Sequence, residues 1–114
     1  MIRMEIRRKP DGTIAGFRLT GHAGYAEAGR DIVCAGVSAV AIGTVNAAEA
    51  LLGVRLVDGA PKRGTLEAAV PDGLSGRRGE DLQLLLEAMV HMVRDIESHY
   101  GSHVRVSEIV RQAT

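Results

Sequence analysis

Apolar and polar positions alternate from the first residues of the chain. Ile2, Met4 and Ile6 fall on one side, Arg3, Glu5 and Arg7 on the other, and a period of two marks a half-buried strand. Pro10-Asp11-Gly12 supplies a turn, because Pro presets its backbone angle, Asp bonds its own backbone and Gly tolerates positive φ. A second run from Thr13 to Thr20 places Ala15, Phe17 and Leu19 on one face, so the two segments predict a hairpin. From Gly21 to Val33 no period survives, and Gly21, Gly24 and Gly29 punctuate a segment that reads as a flexible loop.

Helical spacing then returns at Val37, Val40, Ala41, Thr44, Val45, Ala48, Leu51 and Leu52, in a helix that begins near Cys34 and closes at Gly53. Ala and Gly occupy most of its sides, which predicts close packing and burial. Val54 to Val57, then Leu66, Ala68 and Val70, predict two short strands joined around Asp58-Gly59 to Gly64. Pro71 to Gly79 reads as a loop with Arg77-Arg78 at its solvated tip. Leu82, Leu85, Leu86, Met89, Met92, Val93, Ile96 and Tyr100 mark a second amphipathic helix, with the two methionines as core fillers. Val104 and Val106 belong to a last strand. The order ββαββαβ predicts an α+β two-layer sandwich, a mainly antiparallel sheet covered by two helices. No linker or internal repeat divides the chain, so residues 1–114 form one domain.

Composition narrows the function classes. Fourteen basic and fourteen acidic side chains cancel, which gives no field to steer the chain onto nucleic acid or anionic lipid. One Phe, two Tyr and no Trp leave too few rings for a base-stacking platform. Direct nucleic-acid binding is therefore not expected. No stretch reads as the roughly 18 apolar residues of a membrane span, and the charged, alternating start does not resemble a secretory signal. A single Cys cannot form an intrachain disulfide, and the cytoplasm is the expected compartment.

The chemistry concentrates at one edge. The second strand leads through Gly21 to His22, and the first helix begins near Cys34, so both ends of the loop belong to the same edge of the sandwich. A thiol in a first helical turn faces unpaired backbone N–H groups and the positive end of the helix dipole, which favour the nucleophilic thiolate. A neighbouring imidazole would assist it. Residues alone leave two readings open, since a lone Cys early in an apolar helix also serves as a small buried hydrophobe. Asp31 has the position of a helix N-cap and could instead orient His22. His99 and His103 stand four apart, but Gly101 interrupts them and no ligand cluster completes a metal site. His91 lies beside core positions and reads as structural or exposed. No metal and no cofactor is expected.

The string from Gly21-His22-Ala23 through Gly29-Arg30-Asp31-Ile32-Val33-Cys34-Ala35 to Val37-Ser38-Ala39 closely resembles the signature of the bacterial ribosomal-processing cysteine proteases (Prp-like). Length and element order are similar to that family's over essentially the whole chain. The resemblance implies a protease that removes a short N-terminal extension from a large-subunit ribosomal protein, with that precursor as peptide substrate. It also implies a homodimer and a mobile loop between His22 and Cys34. By position, Cys34 matches the nucleophile and His22 its acid–base partner, while Asp31 and Ser38 match supporting motif positions. Ser38 could equally bond its own helix backbone. The backbone N–H groups of Cys34 and Ala35 are the expected oxyanion donors, and Gly21, Gly24 and Gly29 the loop hinges. Two rivals remain on residues alone. One is a non-catalytic ribosome-associated α+β module that merely packs Cys34; the other is a thiol sensor in which Cys34 oxidation is the readout.

Overall fold

The computed structural model describes residues 1–21, 24, 26–27, 30–58 and 64–111. Along the chain run β1 (Ile2–Arg8), β2 (Ile14–Thr20), α1 (Ile32–Leu52), β3 (Thr65–Ala69), α2 (Gly76–His99) and β4 (Val104–Val110). The sheet has the order β3-β2-β1-β4. β1 pairs antiparallel with β2, and β2 with β3, whereas β4 lies parallel to β1 with Ile2 opposite Val104. The expected α+β sandwich is present, with a mixed sheet.

One expected strand is not formed. Residues 54–57 form no ladder; Ala69 N–H donates to the Leu56 carbonyl at 2.8 Å, and the Val54 N–H donates to the Ala48 carbonyl at 3.1 Å. The order is thus ββαβαβ among the described residues. A further difference concerns the faces of β2. The expected stripe of Ala15, Phe17 and Leu19 is displaced because pairing passes from Arg7–Gly16 to Arg8–Ile14, leaving Ala15 as an extra residue. That bulge turns Ile14, rather than Ala15, fully into the core. The backbone of Ile14 is then closed by a side chain of α2: its N–H donates to Gln83 Oε1 at 2.8 Å, and Gln83 Nε2 donates to its carbonyl at 2.9 Å.

The hairpin turn forms as its residues require, with Asp11 Oδ1 accepting from both the backbone N–H and the hydroxyl of Thr13. Ile2, Met4 and Ile6 of β1, Phe17 of β2 and Val104 and Val106 of β4 all point into one core. Two helical stripes close it from the same side: Val33, Val37, Ala41, Thr44 and Ala48 of α1, and Leu82, Leu86, Met89, Val90 and Val93 of α2. Sheet residues on the opposite face, such as Arg3, Arg18 and Arg105, are exposed.

α1 is less buried than its composition predicts. Leu51 is 74% exposed, and Ile32 and Ile42 about half exposed. By length and composition alone this helix is apolar enough to cross a bilayer, contrary to the reading of the bare sequence; in the fold its Val33–Ala48 stripe is packed into the core. Met92 faces solvent too, and of the two methionines only Met89 fills the core.

Arg77 and Arg78 sit in the first turn of α2 rather than in a loop. Arg77 pairs with Asp81 across the helix surface, while Arg78 reaches the C-terminal end of α1. Its Nε donates to the Leu52 carbonyl at 2.8 Å and its Nη2 to the Gly53 carbonyl at 2.9 Å. These carbonyls have no partner inside a helix, so Arg78 locks the start of one helix to the end of the other.

A chain of charges fastens α2 to the β1–β4 edge. Arg8 bonds Glu87 and Glu108, Arg94 bonds Glu108, and Glu97 accepts the Val106 N–H at 2.7 Å. Hydrogen bonds from Arg8 hold the Glu87 carboxyl below its ordinary range, and those from Arg8 and Arg94 do the same for Glu108. A depressed carboxyl contributes stability above its unfolded pKa and loses it as pH falls through the folded value. The urea midpoint should therefore fall as pH drops from 7 to about 3, and Arg8→Met should flatten that part of the profile. Gln83→Ala leaves the Ile14 backbone unpaired and should cost about 1–3 kcal/mol, seen as a lower midpoint with unchanged slope.

Candidate active site

β2 delivers the chain to the site through Gly21. This residue has φ +86°, a Cβ on it would run into the Met1 carbonyl oxygen, and its N–H donates to the Gly64 carbonyl at 3.3 Å. Only glycine fits a positive φ against a neighbouring backbone. Gly21 is thus a fixed departure point wedged between the starts of β1 and β3. Gly24 also has positive φ, at +68°, but stands in open space. His22 and Gly29, the expected acid–base residue and the third hinge, lie outside the described residues.

On the far side of this segment Asp31 starts α1. It takes the extended conformation of an N-cap, and its Oδ1 accepts the Cys34 N–H at 2.9 Å. Its own carbonyl accepts the Ala35 N–H at 3.0 Å. Asp31 therefore performs the capping role that its position predicts. The same two bonds engage both N–H groups expected to receive an oxyanion. In this state neither is open, because one serves the cap and the other the helix ladder.

Cys34 is half-buried and is a free thiol. It opens onto a groove of about 730 Å³ that Gly21 also lines. One wall is a single stripe of α1, in which Cys34 is followed by Ser38, Ile42, Val45, Asn46 and Glu49. Spacings of three and four residues keep them on one helical face. The opposite wall comes from Leu56 and Val57 and from Thr65 and Leu66 at the start of β3, with Leu19 of β2 also lining the space. The middle is apolar. At the end remote from Cys34, Arg55 Nη2 lies 3.5 Å from Glu49 Oε1.

Ser38 lines the groove one turn beyond Cys34, and among the described residues its hydroxyl makes no bond to the helix backbone. Thr44 does make such a bond, donating to the Val40 carbonyl at 2.7 Å. The expected nucleophile and its neighbour Ser38 thus share one cavity. Reading the sequence missed the rest of the wall, from Ile42 to Glu49. Its signal was present in the helical spacing counted onward from Cys34, but an apolar helix offers no face by which to orient that count.

Two of the remaining histidines lie on α2. His91 is exposed, and the His99 ring nitrogen Nδ1 lies 2.9 Å from the Asp95 carbonyl of its own helix. Among the described residues no three His, Cys, Asp or Glu side chains converge as a metal ion requires. A second cavity, of about 490 Å³ between the Asp11 turn and the start of α2, has neither Cys nor His among its lining residues.

Comparison with known proteins places this geometry. The profile of the family described as Cysteine protease Prp matches residues 1–105. The ribosomal processing cysteine protease Prp of Bacillus subtilis is 41% identical over 108 residues, covering 94% of this chain and 96% of that protein. The ribosomal processing protease Prp of S. aureus, in complex with a covalently linked product peptide, superposes with a TM-score of 0.84 at 32% identity. That match covers 96% of this chain and all of the other. The same protease in complex with a substrate peptide gives 0.80 at 30% identity, with the same coverage. The chain belongs to the Prp family of cysteine proteases.

Proposed function

We propose that this protein is a cysteine endopeptidase that removes a short N-terminal extension from a large-subunit ribosomal protein. The observation that carries the reading is Cys34 at the N-terminus of α1, opening on a groove long and apolar enough for an extended peptide. The S. aureus relative supports it, having been solved both with a substrate peptide and with a covalently linked product peptide.

In the proposed mechanism His22 takes the thiol proton and Cys34 attacks the scissile carbonyl. The amide nitrogen leaves with a proton from the imidazolium, the acyl group remains on sulfur, and water releases it as a carboxylate. The developing oxyanion is held at the α1 N-terminus. The Ala35 N–H stays in the helix ladder, and the Cys34 N–H becomes a donor only when the Asp31 carboxylate gives it up. Asp31 then has two tasks in sequence: it fixes the start of the helix in the resting protein and yields its amide to the intermediate. No cofactor enters this scheme.

Two further parts of the reading concern surroundings. Ile32 and Leu51 leave exposed apolar surface near the two ends of α1, which supports a homodimer in which this helix takes part. A ribosomal precursor as substrate fits a cytoplasmic enzyme.

The substrate test uses the extended ribosomal protein of the same organism. Wild type should trim it, and Cys34→Ala should leave it uncut; a ribosomal precursor untouched by wild type would sink the reading. His22→Ala should lower the rate at least about a thousandfold with an unchanged circular dichroism spectrum, since the two residues act as one unit. Asp31→Ala should lose about 1 kcal/mol of stability with the cap and also slow cleavage. Asp31→Ser keeps a capping oxygen and should recover the stability, so the two effects separate in denaturation and rate measurements.

A further inference from the structure

The groove does not end where its apolar lining ends. Glu49 lies fifteen residues beyond Cys34 on the same helix face, about 22 Å of α-helix at 1.5 Å per residue. An extended peptide advances about 3.3–3.6 Å per residue, so a strand laid along this wall covers about six or seven residues between the two ends.

Glu49 is poorly placed for the helix that carries it. It sits in the last turn of α1, near the negative end of the helix dipole, where a carboxylate gains nothing. The last turn holds no basic residue, and Arg78, which reaches the helix end, is spent on the Leu52 and Gly53 carbonyls. Arg55 does lie 3.5 Å from Glu49, but the two side chains are 71% and 56% exposed, and such a pair holds weakly. Asn46, one turn earlier, lines the same space and adds an amide oxygen. A carboxylate that does not serve its own helix, set in a groove wall beside a further acceptor, forms a site for a cation.

We propose that Glu49, with Asn46, forms a distal specificity subsite that takes a basic side chain of the substrate, six or seven residues N-terminal to the scissile bond. The N-terminal side is assigned because that fragment stays on the Cys34 sulfur as the acyl group, and retention along α1 holds it in place until water arrives. The inference rests on the protease reading and names a position that this reading leaves open. Arg55 is the resident counter-ion, displaced when the substrate's cation docks.

The experiment uses fluorogenic peptides that differ only at the sixth or seventh upstream residue, carrying Lys or Glu, and the full-length enzyme. Wild type should prefer Lys over Glu about five- to tenfold in kcat/KM at low salt, with the preference shrinking as salt rises. Glu49→Gln should bring the two substrates within about twofold, and Glu49→Lys should invert the order. Glu49 is exposed, so both variants should fold, which circular dichroism checks. An equal preference in wild type and Glu49→Gln overturns the subsite while leaving the protease intact. If wild type cuts none of the peptides, the protease reading fails instead. Fluorescence anisotropy of the same labelled peptides on Cys34→Ala then decides the subsite alone: tighter binding of the Lys peptide that disappears with an added Glu49→Gln supports it, and equal binding removes it.

Discussion

The bond from the Cys34 N–H to the Asp31 carboxylate fixes more of this protein than its 2.9 Å suggests. It marks where α1 begins and so which residues stand in its first turn, while the packed stripe from Val33 to Ala48 sets the side on which Cys34 and Ser38 meet the groove. The bond also places an anion beside the thiol, at the helix end whose dipole would otherwise favour negative charge without competition. The amide that caps the helix is also the one that the proposed mechanism assigns to the oxyanion.

A helix positioned so tightly at one end needs a fixed end elsewhere, and Arg78 supplies it. Its bonds to the Leu52 and Gly53 carbonyls tie the end of α1 to the start of α2, while the Arg8–Glu87–Glu108–Arg94 chain ties α2 to the far edge of the sheet. Gln83 closes the same frame at the bulge in β2. Polar contacts therefore set the frame, and the apolar stripes fill it. This division explains the composition of α1. One face is core and one lines the groove, while Ile32 and Leu51 stay exposed near its two ends.

Much of this was legible in the residues. Alternation gave the strands of the hairpin and helical spacing gave both helices; the Asp31 cap followed from its place before a helical run. The string from Gly21 to Ala39 carried the family. These features are local, because a two-residue or 3.6-residue period and a capping side chain act within a few residues of themselves. Covalent neighbours are enough to state them.

What required the fold was every contact between distant segments. No local rule shows that β4 pairs parallel to β1, that residues 54–57 stay outside the ladder, or that an extra residue at Ala15 turns Ile14 inward. Arg78 read as a solvated tip because its partners, two carbonyls some 25 residues away, exist as acceptors only once α1 has ended beside it. The groove is of the same kind. Its walls come from α1, the 55–57 segment and the start of β3, and an apolar helix has no polar face by which its sequence could say which side is open. The sequence by itself determined the family, the place of Cys34 at a helix start and the Asp31 cap of that helix. Only the tertiary structure decided what lies along that helix from Ser38 to Glu49, since a cavity is defined by surfaces that meet only after folding.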